Sequence, residues 1–290
     1  MGNVIDMHLH ASGEAQWMQV PNPVTGDPGP ATAAEHMRES LAMMDRYNVV
    51  AAIVDGPLES IEAWRDASPE RVIGSLGFGR PGFGVFNQPL PGLNALRALF
   101  RDETFQAMAE ITAQYEGLSP SDMAFEPYFA MAEELDVPVG IHTGTSFPGT
   151  AAFRPNFRLA LGNPILIEDL LVRHPKLRVY AMHAGFPWER EMMAMMQQYP
   201  QLHIDISPIW LGVPDAEIER WAREMFARGL GTRIMFGTDQ MLWPETIGMA
   251  IDTIESADFL SDEQKREILY NNAARFLRLS EEEIARHHGT

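Results

Sequence analysis

The residues in this chain best suited to chemistry are histidines. His8 and His10 stand two apart in Ile5-Asp6-Met7-His8-Leu9-His10. On an extended strand, residues i and i+2 project from one face, so two imidazoles at this spacing can chelate one divalent ion. Alone, the pair is equally a polar strand end with two unrelated histidines. Three more residues change the balance. His142 closes Val-Gly-Ile-His, His183 closes Tyr-Ala-Met-His and Asp239 closes Met-Phe-Gly-Thr-Asp. Each is a polar residue directly after an apolar run. One such histidine is ordinary core packing, whereas four histidines and an aspartate placed alike point to a metal site. The chain has no cysteine, so thiolate ligands, disulfides and a cysteine nucleophile are excluded and any metal is held by His, Asp or Glu. Zinc suits that donor set best, with manganese as the other candidate. Such an ion lowers the pKa of a bound water to about 7, making a nucleophile for a carbonyl carbon.

The elements that must position these residues are legible as a repeat of apolar runs and helical stretches. The runs cover residues 4–7, 49–55, 72–78, 108–112, 137–142, 179–183, 202–206 and 234–238. They are nearly continuous in hydrophobicity, as parallel strands covered on both faces are. Between them, 33–47 (capped by Thr32), 122–135, 164–174, 187–198, 216–228 and 263–277 show helical spacing. Eight strands alternating with helices predict an α/β fold, a (β/α)8 TIM barrel, with residues 1–290 as a single barrel domain. The candidate residues then share the C-terminal mouth of the barrel. No Gly-x-Gly-x-x-Gly follows the first run, which argues against a dinucleotide fold, and no organic cofactor is expected. Two Gly/Pro-rich stretches, 11–30 and 79–92, read as long loops over that mouth.

Composition limits the partners. The net charge of −18 repels phosphate backbones, so the expected partner is a small-molecule substrate and not nucleic acid. No apolar run approaches the roughly 20 residues of a spanning helix and no signal peptide is visible, so no membrane partner and a cytoplasmic location are expected.

The His-x-His of the first run, histidines after the fifth and sixth, and an aspartate after the eighth together resemble the amidohydrolase superfamily. The stretch His174-Pro-Lys-Leu-Arg-Val-Tyr-Ala-Met-His183-Ala-Gly-Phe-Pro-Trp188 and the closing Asn271-Asn272-Ala273 narrow the resemblance to the amidohydrolase-related branch. That branch holds metal-dependent hydrolases, lactonases and aminocarboxymuconate-semialdehyde-type decarboxylases. The resemblance implies that His8, His10, His142 and Asp239 are metal ligands. It makes His183 a second-metal ligand or an acid/base, and lets Asp239 take a proton from the attacking water. Two-metal members often carry a carboxylated lysine after the fourth strand. This chain has Glu110 there instead, which either bridges two ions or is a helix-end or surface glutamate. One or two ions are thus open. Relatives in the branch are often dimers, so a homodimer is an expectation too.

Lesser candidates are Arg80 (a substrate-carboxylate partner or a loop-surface arginine), Met241 and Trp243 as an apolar wall, Trp17, Phe83 and Phe86 as a lid, and Tyr115. Plain packing is at least as good a reading for each. Ser207 has no identifiable base partner, so a serine hydrolase is disfavoured. His36, His174, His203, His287 and His288 read as structural or surface residues, and the Met-rich run 191–198 as a packed helix face. The function expected is hydrolysis of an ester, lactone or amide bond by metal-activated water, with His8 favouring it modestly. The alternative is non-oxidative decarboxylation of a small aromatic or unsaturated acid, for which Arg80 is the one electrophilic candidate. A catalytically dead barrel is disfavoured by the complete ligand set.

Overall fold

The computed structural model describes residues 2–84 and 89–289. Its strands are β1 (Val4–His10), β2 (Val49–Asp55), β3 (Val72–Ser75), β4 (Phe78–Arg80), β5 (Phe83–Gly84), β6 (Met108–Ile111), β7 (Val139–His142), β8 (Val179–Met182), β9 (Leu202–Asp205) and β10 (Ile234–Met235). All eight runs read from the sequence are present. β1–β2–β3 form one parallel sheet, and β10–β9–β8–β7–β6–β4 another, with β5 antiparallel on its edge. Two seams close them into a barrel. Ser75 bridges Ala107 on one side, and Leu9 bridges Gln240 on the other. At the second seam Met7 N–H donates to Phe236 O, Asp239 N–H to His8 O and His10 N–H to Gln240 O.

Burial explains the composition of the strands. Valine, isoleucine, leucine and methionine on both faces are buried, as expected when helices cover the outside and side chains fill the lumen. One cluster joins the strands to the surrounding helices. A second brings Ile5 and Met7, Ala51 and Ile53, Ala107 and Ala109, Tyr180 and Met182, and Met235 together from different strands. Tyr270, Ala273 and Phe276 of the closing helical segment pack on that second cluster.

The helices agree with the periodicity, with local differences. Thr32 caps Ala33–Arg46, its side chain accepting from Glu35 N–H. The stretch read as 72–78 is not one strand: it breaks after Ser75 and resumes at Phe78. Gly77 occupies the break, and a Cβ there would lie 2.5 Å from an Asp55 carboxylate oxygen. The first strand runs on to His10, three residues past its apolar run, because the closing seam supplies hydrogen bonds to His8 and His10. Within 79–92, expected as loop, Phe78–Arg80 and Phe83–Gly84 pair antiparallel. Phe86, offered as a lid residue, lies outside the described residues. The methionines of 191–198 behave as a packed face: Met192, Met193, Met195 and Met196 are buried.

Candidate metal centre

Strand ends bring six side chains to the mouth: His8 and His10 from β1, Glu110 from β6, His142 from β7, and His183 and Asp239 just past β8 and β10. They form two triads. In the first, His8 Nε2 and His10 Nε2 are 3.0 Å apart, and Asp239 Oδ1 is 3.0 Å from His10 Nε2 and 3.5 Å from His8 Nε2. Ligands held about 2.0–2.2 Å from one ion stand about 2.9–3.5 Å from each other. The triad has that spacing. In the second, Glu110 Oε1 is 3.4 Å from His183 Nε2 and 3.8 Å from His142 Nε2. The other Glu110 oxygen faces the first triad, 3.9 Å from His8 Nε2. Glu110 is buried within a strand. The helix-end or surface reading of Glu110 is thereby corrected.

The strands aim these residues through local breaks in alternation. On β1, Ile5 and Met7 belong to the inner cluster, yet His8 and His10 also reach the centre. The β1–β2 register shifts between Asp6 and Leu9, which allows both. The β6–β7 register likewise shifts between Met108 and Ile111, around Glu110. His183 and Asp239 adopt φ of 63° and 53°, a left-handed conformation uncommon for residues with a Cβ.

Three of the four imidazoles are hydrogen-bonded on the far nitrogen. His8 Nδ1 lies 2.9 Å from Ser207 Oγ, whose own proton goes to Asp205 Oδ1 at 2.7 Å, so His8 Nδ1–H donates to the serine. His142 Nδ1–H donates to Gln114 Oε1 at 2.9 Å, an orientation fixed because the Gln114 amide nitrogen donates to Gly144 O. His183 Nδ1–H donates to Ser207 O at 2.5 Å. His10 Nδ1 faces Asp55 Oδ2 at 3.7 Å. The Nε2 atoms face one another and two carboxylates. Four Nε2 atoms and two carboxylates crowded this closely can be satisfied together by a cation. The residues fit a divalent ion.

Electrostatics divide the four histidines: for His10, burial is outweighed by the Asp239 and Asp55 carboxylates, which hold its pKa well above the ordinary value. Burial lowers the pKa of His8 to about 3 and that of His142 to about 4, so both are neutral ligands near pH 7. Burial would lower His183 too, but the Glu110 carboxylate beside it prevails and holds it at about 9. Burial alone would raise Glu110; the surrounding histidines override it and push the carboxyl well below its usual range. Behind the triads, burial lifts Asp205 to about 6 and Asp6 to about 7. Asp6 accepts from His8 N–H, Thr238 N–H and the Thr238 hydroxyl, fastening β1 to the segment that carries Asp239.

Sequence reasoning missed this supporting layer of Asp6, Asp55, Gln114, Asp205 and Thr238. Asp55 ends an apolar run, the same signal that singled out His142, and Asp205 stands one residue before the end of another. Ser207 also needs correction: it touches a histidine and an aspartate. Its hydroxyl is fully buried and spends its proton on Asp205, so it serves as a tether for His8 and not as a nucleophile. Arg80 is half-buried at the end of β4. Trp17 and Trp243 donate their indole N–H groups to Pro30 O and Val20 O, tying down the loop after β1. Met241 is partly exposed. Among the described residues, no helix is long and apolar enough to cross a membrane.

Comparison with known proteins agrees with this architecture. A dihydroxybenzoic acid decarboxylase from Polaromonas sp. JS666, with bound manganese and the inhibitor 2-nitroresorcinol, superimposes with a TM-score of 0.63 at 15% identity, over 98% of this chain and 99% of that one. A probable 2-pyrone-4,6-dicarboxylic acid hydrolase from Acinetobacter baumannii gives 0.62 at 15% identity, over 96% of this chain and 100% of that one. At such identities the likeness shows the TIM-barrel fold. Protein fluG of Emericella nidulans is 22% identical over 168 residues, which are 53% of this chain and 19% of that much longer protein. The amidohydrolase family profile matches residues 5–279, nearly the whole span of the barrel, and the chain belongs to that family.

Proposed function

We propose that this chain is a zinc-dependent hydrolase that opens an ester, lactone or amide bond of a small molecule at the barrel mouth. The observation that carries the reading is the orientation of the four histidines. Three of their far nitrogens are hydrogen-bonded, and their Nε2 atoms converge with Glu110 and Asp239. In this reading His8, His10 and Asp239 would hold one ion and His142 and His183 a second, with the Glu110 carboxylate available to both. An ion so held supplies Lewis-acid polarisation of a carbonyl oxygen and acidifies water.

The chain's own groups supply the rest. Asp239, held by His10 at 3.0 Å, takes the proton of the attacking water and returns it to the leaving group. Glu110 stays anionic through neutral pH and offsets the positive charge of the centre. The Nδ1 tethers fix the rings, so that the donor set needs no reorganisation when substrate arrives. The acidic chain leaves neutral molecules and those drawn by the centre's own charge as the preferred substrates.

Decarboxylation is the second reading, supported by the likeness to the Polaromonas decarboxylase and by Arg80 at the end of β4. One experiment separates the two. Zinc-loaded protein is incubated with a panel of lactones, esters, amides and aromatic acids, and acid release is scored against carbon dioxide release. Acid release that a chelator abolishes is expected. Carbon dioxide release without hydrolysis of any panel member overturns the proposal in favour of the second reading.

A further inference from the structure

The hydroxyl of Tyr115 has one proton and two polar neighbours, and the hydrogen-bond chain around it decides where that proton goes. Tyr115 lies in the 3-10 turn Ala113–Glu116, directly after β6. Its ring packs edge-on against His142, centroids 5.0 Å apart, and against Phe157 at 5.3 Å. Its Oη is 2.7 Å from Ser146 Oγ and 3.3 Å from His142 Nε2, the nitrogen that faces the centre.

The chain of hydroxyls ends on a group that can only accept. Thr150 Oγ1 donates to Phe147 O at 2.7 Å, which uses its single proton. Thr150 is buried, so it must accept from Ser146 Oγ, 2.9 Å away, and the serine proton is spent there. Ser146 therefore accepts from Tyr115, and the tyrosine proton is spent in turn. What remains toward the centre is a lone pair of Tyr115 Oη. It faces a lone pair of His142 Nε2, because His142 carries its proton on Nδ1 for Gln114. Two acceptors at 3.3 Å are not partners of each other; each awaits something else.

We infer that Tyr115 is a positioning residue that presents a fixed hydrogen-bond acceptor at the metal centre, for an O–H or N–H donor. Given the metal reading above, on which this rests, the donor is the water consumed in hydrolysis or a hydroxyl or amide group of the substrate. A carboxylate oxygen has no proton to offer it. Ser146 and Thr150 hold the tyrosine proton away from His142, which keeps that nitrogen open for the ion.

Zinc titration tests this without turnover. Ser146→Ala removes the acceptor of the tyrosine proton, which then turns to His142 Nε2 and competes with zinc. The zinc Kd should weaken roughly two- to tenfold, about the value of one hydrogen bond. Adding Tyr115→Phe to Ser146→Ala removes the competing proton and should restore the wild-type Kd, which a merely structural role of Ser146 would not allow. Tyrosine resonance Raman, as the difference between wild type and Tyr115→Phe, should show Tyr115 gaining acceptor character when zinc alone is added if water is the donor. The change should come only with a turned-over panel substrate if the donor belongs to the substrate. On that substrate Tyr115→Phe should lower kcat roughly ten- to a hundredfold with KM within twofold. An unchanged Kd in Ser146→Ala, a double variant that stays weak, or a phenolate–metal signature overturns the inference. Failure of the wild type to bind zinc at all overturns the metal reading instead.

Discussion

Glu110 and His183 meet across the barrel mouth, Oε1 to Nε2 at 3.4 Å, while the second Glu110 oxygen looks toward His8 at 3.9 Å. One carboxylate so placed serves both triads. Glu110→Gln keeps the shape but removes the charge and one of the two good ligand oxygens. Metal analysis should show wild type binding two ions and the variant one or fewer. Two ions in Glu110→Gln would remove Glu110 from the centre.

Ser207 fixes the proton of His8. Ser207→Ala leaves His8 Nδ1–H without its 2.9 Å partner and Asp205 without a hydroxyl donor. Loss of a group that orients a metal-bound imidazole costs roughly ten- to a hundredfold in metal affinity. Calorimetric zinc titration should show that weakening. A serine nucleophile would instead lose turnover with zinc affinity intact.

Gly77 gives Asp55 its room. An added Cβ would lie 2.5–2.7 Å from the Asp55 carboxylate, which faces His10 Nδ1. Gly77→Ala should cost about 1–3 kcal/mol of stability by overpacking. The affinity of the His8–His10–Asp239 triad should fall with it. Unchanged denaturant midpoint and zinc affinity would show that the strand break tolerates a side chain.

His203 lies far from the mouth and carries a separate pH effect. Burial, followed by the Arg233 and Arg275 charges, pushes its pKa down from 6.5 to about 4. The folded protein thus binds this proton less readily than the unfolded chain. Stability present above pH 6.5 is lost as pH falls toward 4, by up to about 3 kcal/mol. His203→Phe keeps a ring against Phe276, 4.7 Å away in the native pair, and removes the titration. Its unfolding midpoint should fall less than that of the wild type between pH 6.5 and 4; an identical slope would clear His203 of the effect.

The barrel was readable because buried parallel strands and the polar residues ending them are strong signals; the spacing of His8 and His10 gave them a common face, but not the register shift that turns it to the centre while Ile5 and Met7 stay in the inner cluster. Glu110 was not decidable from the sequence. Simple alternation would place it on the face opposite Ala109, which belongs to the inner cluster; it reaches the centre at a register shift that no local pattern announces. His183 depends likewise on a left-handed backbone, where the sequence shows a plain His-Ala-Gly. The Ser207–Asp205 tether was missed for another reason. Serine and aspartate two residues apart are common in turns, and only the fold sets His8 beside them.

The seam between β1 and the segment after β10 places His10 against Asp239, residues 229 positions apart. A nascent chain therefore carries the first histidines for most of its synthesis with no aspartate to complete their triad. An ion held by this triad would lock in only once the barrel's last staves have met its first, so that metal capture would signal finished assembly and clasp it.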